Sequence, residues 1–243
     1  MKSWRNILVL AAFALQLAAP QAHAAKAVAM QLPDVLARVE RIPVKGRQGW
    51  KLNEKLEFGA TRVFNVERSL TKGSDLGIVF YQGAKRRQAF GFSVAEGDAP
   101  AWRGAAATNV HRRSLRGDQD DVSISLKDQS GFAAHFAPAD KPQDLWVLEM
   151  SEKGQRPMAG TLRRKDMVFS VIGTNHLEGL RFPLGDTSGY VFSWGSQVLA
   201  AVEVVNKGAV WMAPDVKAEH RAPLLAAIAS LLLFEDLRAT LPE

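Results

Sequence analysis

Ala222-Pro-Leu-Leu-Ala-Ala-Ile-Ala-Ser-Leu-Leu-Leu-Phe234 is a run of 13 residues with one polar side chain, Ser230. Pro223 suits the first turn of a helix, where its missing N–H costs nothing. Glu235, Asp236 and Arg238 then return the chain to polarity. A helix lying on the outside of a sheet is apolar along one stripe, so one that is apolar on every face has to be enclosed. Lipid is a poor enclosure, because 13 residues rise only ~20 Å and a bilayer core needs about 20 residues. Protein is the better one. The expected helix runs over about 216–240.

The chain that precedes it supplies the walls. From Trp50 onward, short apolar or alternating runs are separated by turns, the pattern of β-structure. Expected strands are Arg62–Glu67, Leu76–Tyr81, Gln88–Val94, Val122–Leu126 and Phe132–Ala137. They continue with Leu145–Met150, Met158–Leu162, Met167–Ile172, Gly189–Trp194, Gln197–Val205 and Ala209–Met212. Gln82-Gly83-Ala84-Lys85 joins two of these as a hairpin turn, and Lys127 to Gly131 joins another pair. The absence of a βαβ alternation argues against a doubly wound sheet. The fold class is therefore mainly β, an antiparallel meander closed into a barrel of about 10–12 strands around the C-terminal apolar α-helix.

At the other end, Lys2 and Arg5 precede an apolar stretch, Ile7 to Leu17, and Ala22-His23-Ala24 has the small-x-small pattern of a secretory cleavage site. Residues 1–24 are read as a cleaved signal peptide. Residues 25–48 are read as a leader, with a short helix at Asp34–Ile42 capped by Asp34, and residues 49–243 as a single barrel domain. A periplasmic or secreted location follows. The 243 residues contain no cysteine, which excludes a lipidated cysteine and a disulfide framework. Of the formal charge of +6, two positive charges leave with the leader. A net +4 is too mild to indicate nucleic acid as a partner.

Gly189-Tyr-Val-Phe-Ser-Trp-Gly-Ser-Gln-Val-Leu-Ala-Ala-Val-Glu-Val-Val205, Trp211-Met-Ala-Pro-Asp215 and Pro223 to Asp236 together resemble the end of a tubby-like barrel. That superfamily includes the phospholipid scramblases and the LURP-one-related proteins. The resemblance is one of pattern, two closing strands and a wholly apolar helix, and covers about the last 50 residues. It implies a helix threaded through a closed barrel of about a dozen strands, and a role in membrane or phosphoinositide association. It carries no catalytic residue set.

The chemistry-bearing motifs are few. Adjacent arginines make bidentate contacts to phosphates and carboxylates. Lys85-Arg86-Arg87, His111-Arg112-Arg113 with Arg116, and Arg163-Arg164-Lys165 are the candidate anion sites. Converging clusters would bind an anionic lipid, lipopolysaccharide or an acidic protein. Trp102 beside Arg103, and Trp50 beside Lys51, add aromatic faces. Gly131-Phe-Ala-Ala-His135 and Gly185-Asp-Thr-Ser188-Gly189 faintly resemble the His and Ser segments of trypsin-like enzymes. Only 53 positions separate His135 from Ser188, too few for that fold. Gly91-Phe-Ser93-Val-Ala95 lacks the second glycine of a nucleophile elbow.

His111, His135, His176 and His220 lack metal-ligand spacing, and Asp118, Asp120 and Asp121 lack the glycine and distal glutamate of a calcium loop. Phosphate-binding glycine motifs are absent too, so no cofactor, metal or catalytic residue is assigned. The leading expectation is an exported, non-enzymatic binding or scaffold protein of the bacterial envelope. An envelope hydrolase using Ser188 or Ser93, and an assembly factor presenting its apolar helix to a protein partner, are the alternatives.

Overall fold

A computed structural model describes residues 28–47, 54–70, 88–108, 131–152 and 157–238. The apolar run is helical within α1, Ala218–Arg238. Every residue from Leu224 to Phe234 is buried, including Ser230. The lone hydroxyl is satisfied locally, donating to the Ala227 carbonyl at 2.7 Å. At roughly 1.5–3 kcal/mol per large apolar side chain, this helix is the axis of the core.

Around it runs one antiparallel sheet of twelve strands. In chain order they are β1 (Ile42–Pro43), β2 (Leu56–Phe58), β3 (Thr61–Leu70), β4 (Gln88–Glu96), β5 (Trp102–Thr108) and β6 (Gly131–Pro138). β7 (Trp146–Ser151), β8 (Ala159–Arg164), β9 (Met167–Thr174), β10 (Gly189–Trp194), β11 (Gln197–Glu203) and β12 (Ala209–Met212) follow. From β2 to β12 each strand pairs with its successor, and β1 adds to the free edge of β12. The two ends of the sheet meet at one bridge, Lys45 opposite Glu57, with N–H to O distances of 2.8 and 3.0 Å. Gly46 permits that approach: its φ is +78°, and a Cβ there would lie 2.1 Å from the Lys55 carbonyl oxygen. The result is a nearly closed barrel around a helix, the expected architecture.

Alternation puts Phe132, Ala134 and Phe136 of β6 inside, facing α1. Phe132 stacks on Phe234 at 4.5 Å between ring centroids. The strands expected at Gly189–Trp194 and Ala209–Met212 are found with those limits.

Three readings change. Gln88–Val94 and Phe132–Ala137 were paired from sequence with Leu76–Tyr81 and Val122–Leu126, segments outside the described residues. Both edges of β4 are instead occupied by β3 and β5, and both edges of β6 by β5 and β7. β5 itself was not anticipated, because Trp102-Arg-Gly-Ala-Ala-Ala-Thr108 has few branched or aromatic side chains. Its small residues fit the space left by larger neighbours, and a Cβ on Gly104 would meet the Phe92 ring at 2.6 Å.

The third change concerns the leader. Residues 34–39 form successive turns rather than a helix, with bonds such as Leu36 N–H to Pro33 O at 2.9 Å, and Ile42–Pro43 is strand. Residues 28–41 form a strap across the outer face of β10–β12. Met30 and Leu36, with Leu32 and Val39, cover Ala201, Ala209 and Trp211. That face is apolar and needs a lid, which an unstructured leader would not provide. Gly189 lets the strap seat, since a Cβ there would lie 2.0 Å from the Met30 sulfur.

Candidate functional site

A barrel filled by its own helix leaves the outer wall and the two rims for chemistry. At one rim, β2–β3, β4–β5, β6–β7, β8–β9 and β10–β11 are joined by short connections, and α1 begins there. This is the turn rim. At the opposite, link rim α1 ends, Val28 starts the strap, and the segments 71–87, 109–130 and 175–188 connect strands.

The turn rim is knitted together by its own charges. Arg221, in the first turn of α1, makes a bidentate pair with Glu96 at the end of β4, with nitrogen–oxygen distances of 2.6 and 2.8 Å. That carboxylate raises the Arg221 pKa above its ordinary value. His220 is buried edge-on against Phe169 and Trp194, at 5.2 and 5.1 Å. Burial lowers its pKa and Lys217 adds to the fall, while Glu219 opposes it. Its Nε2 lies 3.5 Å from a Glu219 oxygen, and has no hydrogen-bond partner among the described residues.

The described arginine cluster belongs to this rim. Arg163, on the outer face of β8, pairs with Glu149 at 3.2 Å. Arg164 lies 3.6 Å from Asp144 and 5.9 Å above the Trp146 ring. These guanidiniums are partly exposed, but carboxylates already face them. Trp102 packs against Phe136 at 6.5 Å between ring centroids.

Lys85, Arg86, Arg87, Arg112 and Arg113 lie outside the described residues, as do Trp50, Lys51, His111, Arg116 and the aspartates at 118, 120 and 121. The strand ends that flank them are described, and they are neighbours. Leu70 is opposite Gln88, Ala89 is opposite Ala107, and Thr108 is opposite Phe132. Segments 71–87 and 109–130 are therefore rooted side by side at the link rim, and Arg163 and Arg164 at the other.

At the link rim, Arg68 and Glu54 form a buried ion pair of 2.6 Å. Arg68 also donates to the Leu233 carbonyl at 3.1 Å, tying α1 to β3 towards its C-terminal end, and sits 5.7 Å over the Phe90 ring. Tyr190 donates to Glu235 beside it. On the wall, Glu203 is fully buried under the strap, where it accepts the Met30 N–H at 2.9 Å and pairs with Arg41 at 3.3 Å.

The nucleophile candidates are arranged for structure. Ser188 is fully buried, with its hydroxyl 3.0 Å from both the Thr174 and His176 carbonyl oxygens. Its proton is directed at backbone acceptors instead of an imidazole base. Ser93 lies on the outer face of β4 opposite Arg103. His135 lies on the outer face of β6, across from Ala105 and Val147, and burial pushes its imidazole down to about 4. Among the described residues no group of three His, Asp or Glu side chains could hold a metal ion, and no helix is long and apolar enough to cross a membrane.

Sequence reasoning passed over the carboxylate–arginine pairs and the β9–β10 loop. Glu203 was the visible signal for the first, a charge inside the apolar run Leu199 to Val205. Gly179-Leu-Arg-Phe-Pro-Leu-Gly185 was the signal for the second, an apolar run held between glycines. In comparisons with family models, with curated proteins and with solved structures, nothing matches this chain.

Proposed function

We propose that this chain is an exported, non-enzymatic binding or scaffold protein of the bacterial envelope, engaging an anionic or lipid-like partner at its link rim. One observation carries the reading: the barrel interior is occupied by α1, buried from Leu224 to Phe234, so partners are met on the surface. Lys85, Arg86, Arg87, Arg112 and Arg113 belong to segments rooted on adjacent strand ends of that rim. Arg163 and Arg164, at the turn rim and already facing carboxylates, drop to a secondary place. Enclosure of α1 also removes support from the alternative in which the helix is lent to a protein partner. A tubby-like relationship belongs to the same proposal, and what supports it is the arrangement of a twelve-strand barrel around a C-terminal helix.

Co-sedimentation with phosphatidylglycerol-containing vesicles tests the partner class. Binding should weaken about fivefold for each arginine neutralised among Arg86, Arg87, Arg112 and Arg113, at about 1 kcal/mol per charge near an anionic surface. It should also fall as salt is raised. Binding that ignores both charge and salt would overturn the reading. N-terminal sequencing of the exported protein should begin at Ala25.

A further inference from the structure

We infer that the link rim meets a lipid bilayer by inserting the β9–β10 loop, with Leu180 and Phe182 as an apolar wedge and Arg181 at headgroup depth. This deepens the envelope reading above and rests on its lipid-like partner, but not on the arginine clusters.

Phe182 is 76% exposed and Leu180 47% exposed. Among the described residues, the other exposed large apolar side chains are Val28 and Val35 of the strap, Val168 and Ile172 of β9 and Trp194 of β10, none as exposed as Phe182. The wedge is held out on a braced neck. Leu184 N–H donates to the Asn175 carbonyl at 2.8 Å, and the Asn175 side-chain amide donates back to the Leu184 carbonyl at 2.9 Å. The strap clamps the near side, with Glu178 N–H on Ala29 O at 2.9 Å and Gln31 N–H on His176 O at 3.0 Å. A loop whose neck is already held by four hydrogen bonds loses less freedom when its tip inserts.

The occupant follows from size, charge and chain length. Two apolar side chains around one guanidinium are far short of the ~800 Å² a protein partner covers on each side. They suit a bilayer interface, where apolar groups enter about 5–10 Å and an arginine between them reaches phosphates. The same rim roots segment 71–87, basic with Lys72, Lys85, Arg86 and Arg87 against Asp75, and segment 109–130, which carries Arg112 and Arg113 but balances its cations with aspartates. Ala29, hydrogen-bonded to the loop, is five residues from Ala24, the end of the expected leader, so chain reach limits their separation to ~18 Å. Before cleavage, a signal peptide ending at Ala24 would keep this loop within that distance of the membrane.

The absence of cysteine makes the test clean. Gly185, where a Cβ would meet nothing within 4 Å, takes a single cysteine for an environment-sensitive fluorescent label. With vesicles of phosphatidylcholine and phosphatidylglycerol, the label should shift to the blue and brighten. Leu180→Ser with Phe182→Ser should weaken partitioning by at least about tenfold, as expected for withdrawing two large apolar side chains. Val168→Ser, which removes a comparably exposed apolar side chain from the β9 wall, should leave the shift intact. An unshifted label on protein that does co-sediment would overturn the wedge and leave the arginine reading standing. Absence of any co-sedimentation would overturn both. A label that responds to rising protein concentration without lipid would assign the loop to contact between protein molecules and overturn the wedge.

Discussion

At the turn rim, strands are joined by as few as two residues, at 59–60, 165–166 and 195–196; at the link rim, segments 71–87 and 109–130 run to 17 and 22 residues. The turn rim meets its charges with partners of its own: Glu96 holds Arg221, Glu149 holds Arg163 and Asp144 faces Arg164. The link rim buries one strong pair, Arg68 with Glu54, and pushes Phe182 and Leu180 outward. One end is occupied with closing the barrel, while the other has chain to spare. Loops rooted on a rigid scaffold are where binding residues concentrate, and here the scaffold favours one end.

The largest test removes what both rims share. A chain ending at Ala213 loses α1 and should fail to fold, seen as loss of near-ultraviolet dichroism and of a cooperative thermal transition. A soluble, cooperative remainder would break the comparison, because neither rim would then depend on the helix.

Next in size is the buried pair of the link rim. Arg68→Met removes the buried guanidinium that pairs with Glu54 and bonds the Leu233 carbonyl, so denaturant unfolding should show a loss of about 3–5 kcal/mol. A loss under 1 kcal/mol would mean that this pair does not lock the helix end.

The wall between the rims has its own signature in pH. The His135 imidazole is held at about 4 in the folded barrel against 6.5 for the unfolded residue. As pH falls, the unfolded chain takes up the proton first. Stability from neutral His135 is therefore complete above about pH 6.5, is lost between about 6.5 and 4, and changes no further below that. The loss should be on the order of 3 kcal/mol, and His135→Gln should flatten this part of the stability–pH curve.

The smallest effect belongs to the turn rim. Arg221→Gln breaks a bidentate but partly exposed pair, and should cost about 1 kcal/mol or less, weakening further in high salt. The contrast with Arg68→Met is the sharper result: two ion pairs near opposite ends of one helix, one buried and one partly exposed, differing severalfold.

The legible and illegible parts of the fold divide on physical lines. The α1 run was decisive because an all-round apolar helix admits few environments, and β10 and β12 carried strong alternation or branched residues between turn signals. β5 was hidden because Gly104 and Ala105 to Ala107 satisfy a spatial need, fitting beneath Phe92, that leaves no local propensity. The strap was hidden because Met30, Leu32, Leu36 and Val39 follow the shape of an outer wall, with neither helical nor strand period. Glu203–Arg41 and Glu96–Arg221 join residues 162 and 125 positions apart, beyond any local pattern. The arginine clusters were visible as sequence, but their rims were set by strand order. That order roots two of them together and the third at the far end.

The most direct test compares the rims in one assay. Vesicle binding is measured for Arg86→Gln with Arg87→Gln and for Arg163→Gln with Arg164→Gln, which remove equal charge from opposite ends, with thermal unfolding confirming that both remain folded. The link-rim variant should lose on the order of tenfold or more in partitioning, at about 1 kcal/mol per charge, while the turn-rim variant stays close to the parent. Equal losses, or a larger loss at the turn rim, would contradict the assignment of the link rim as the binding end.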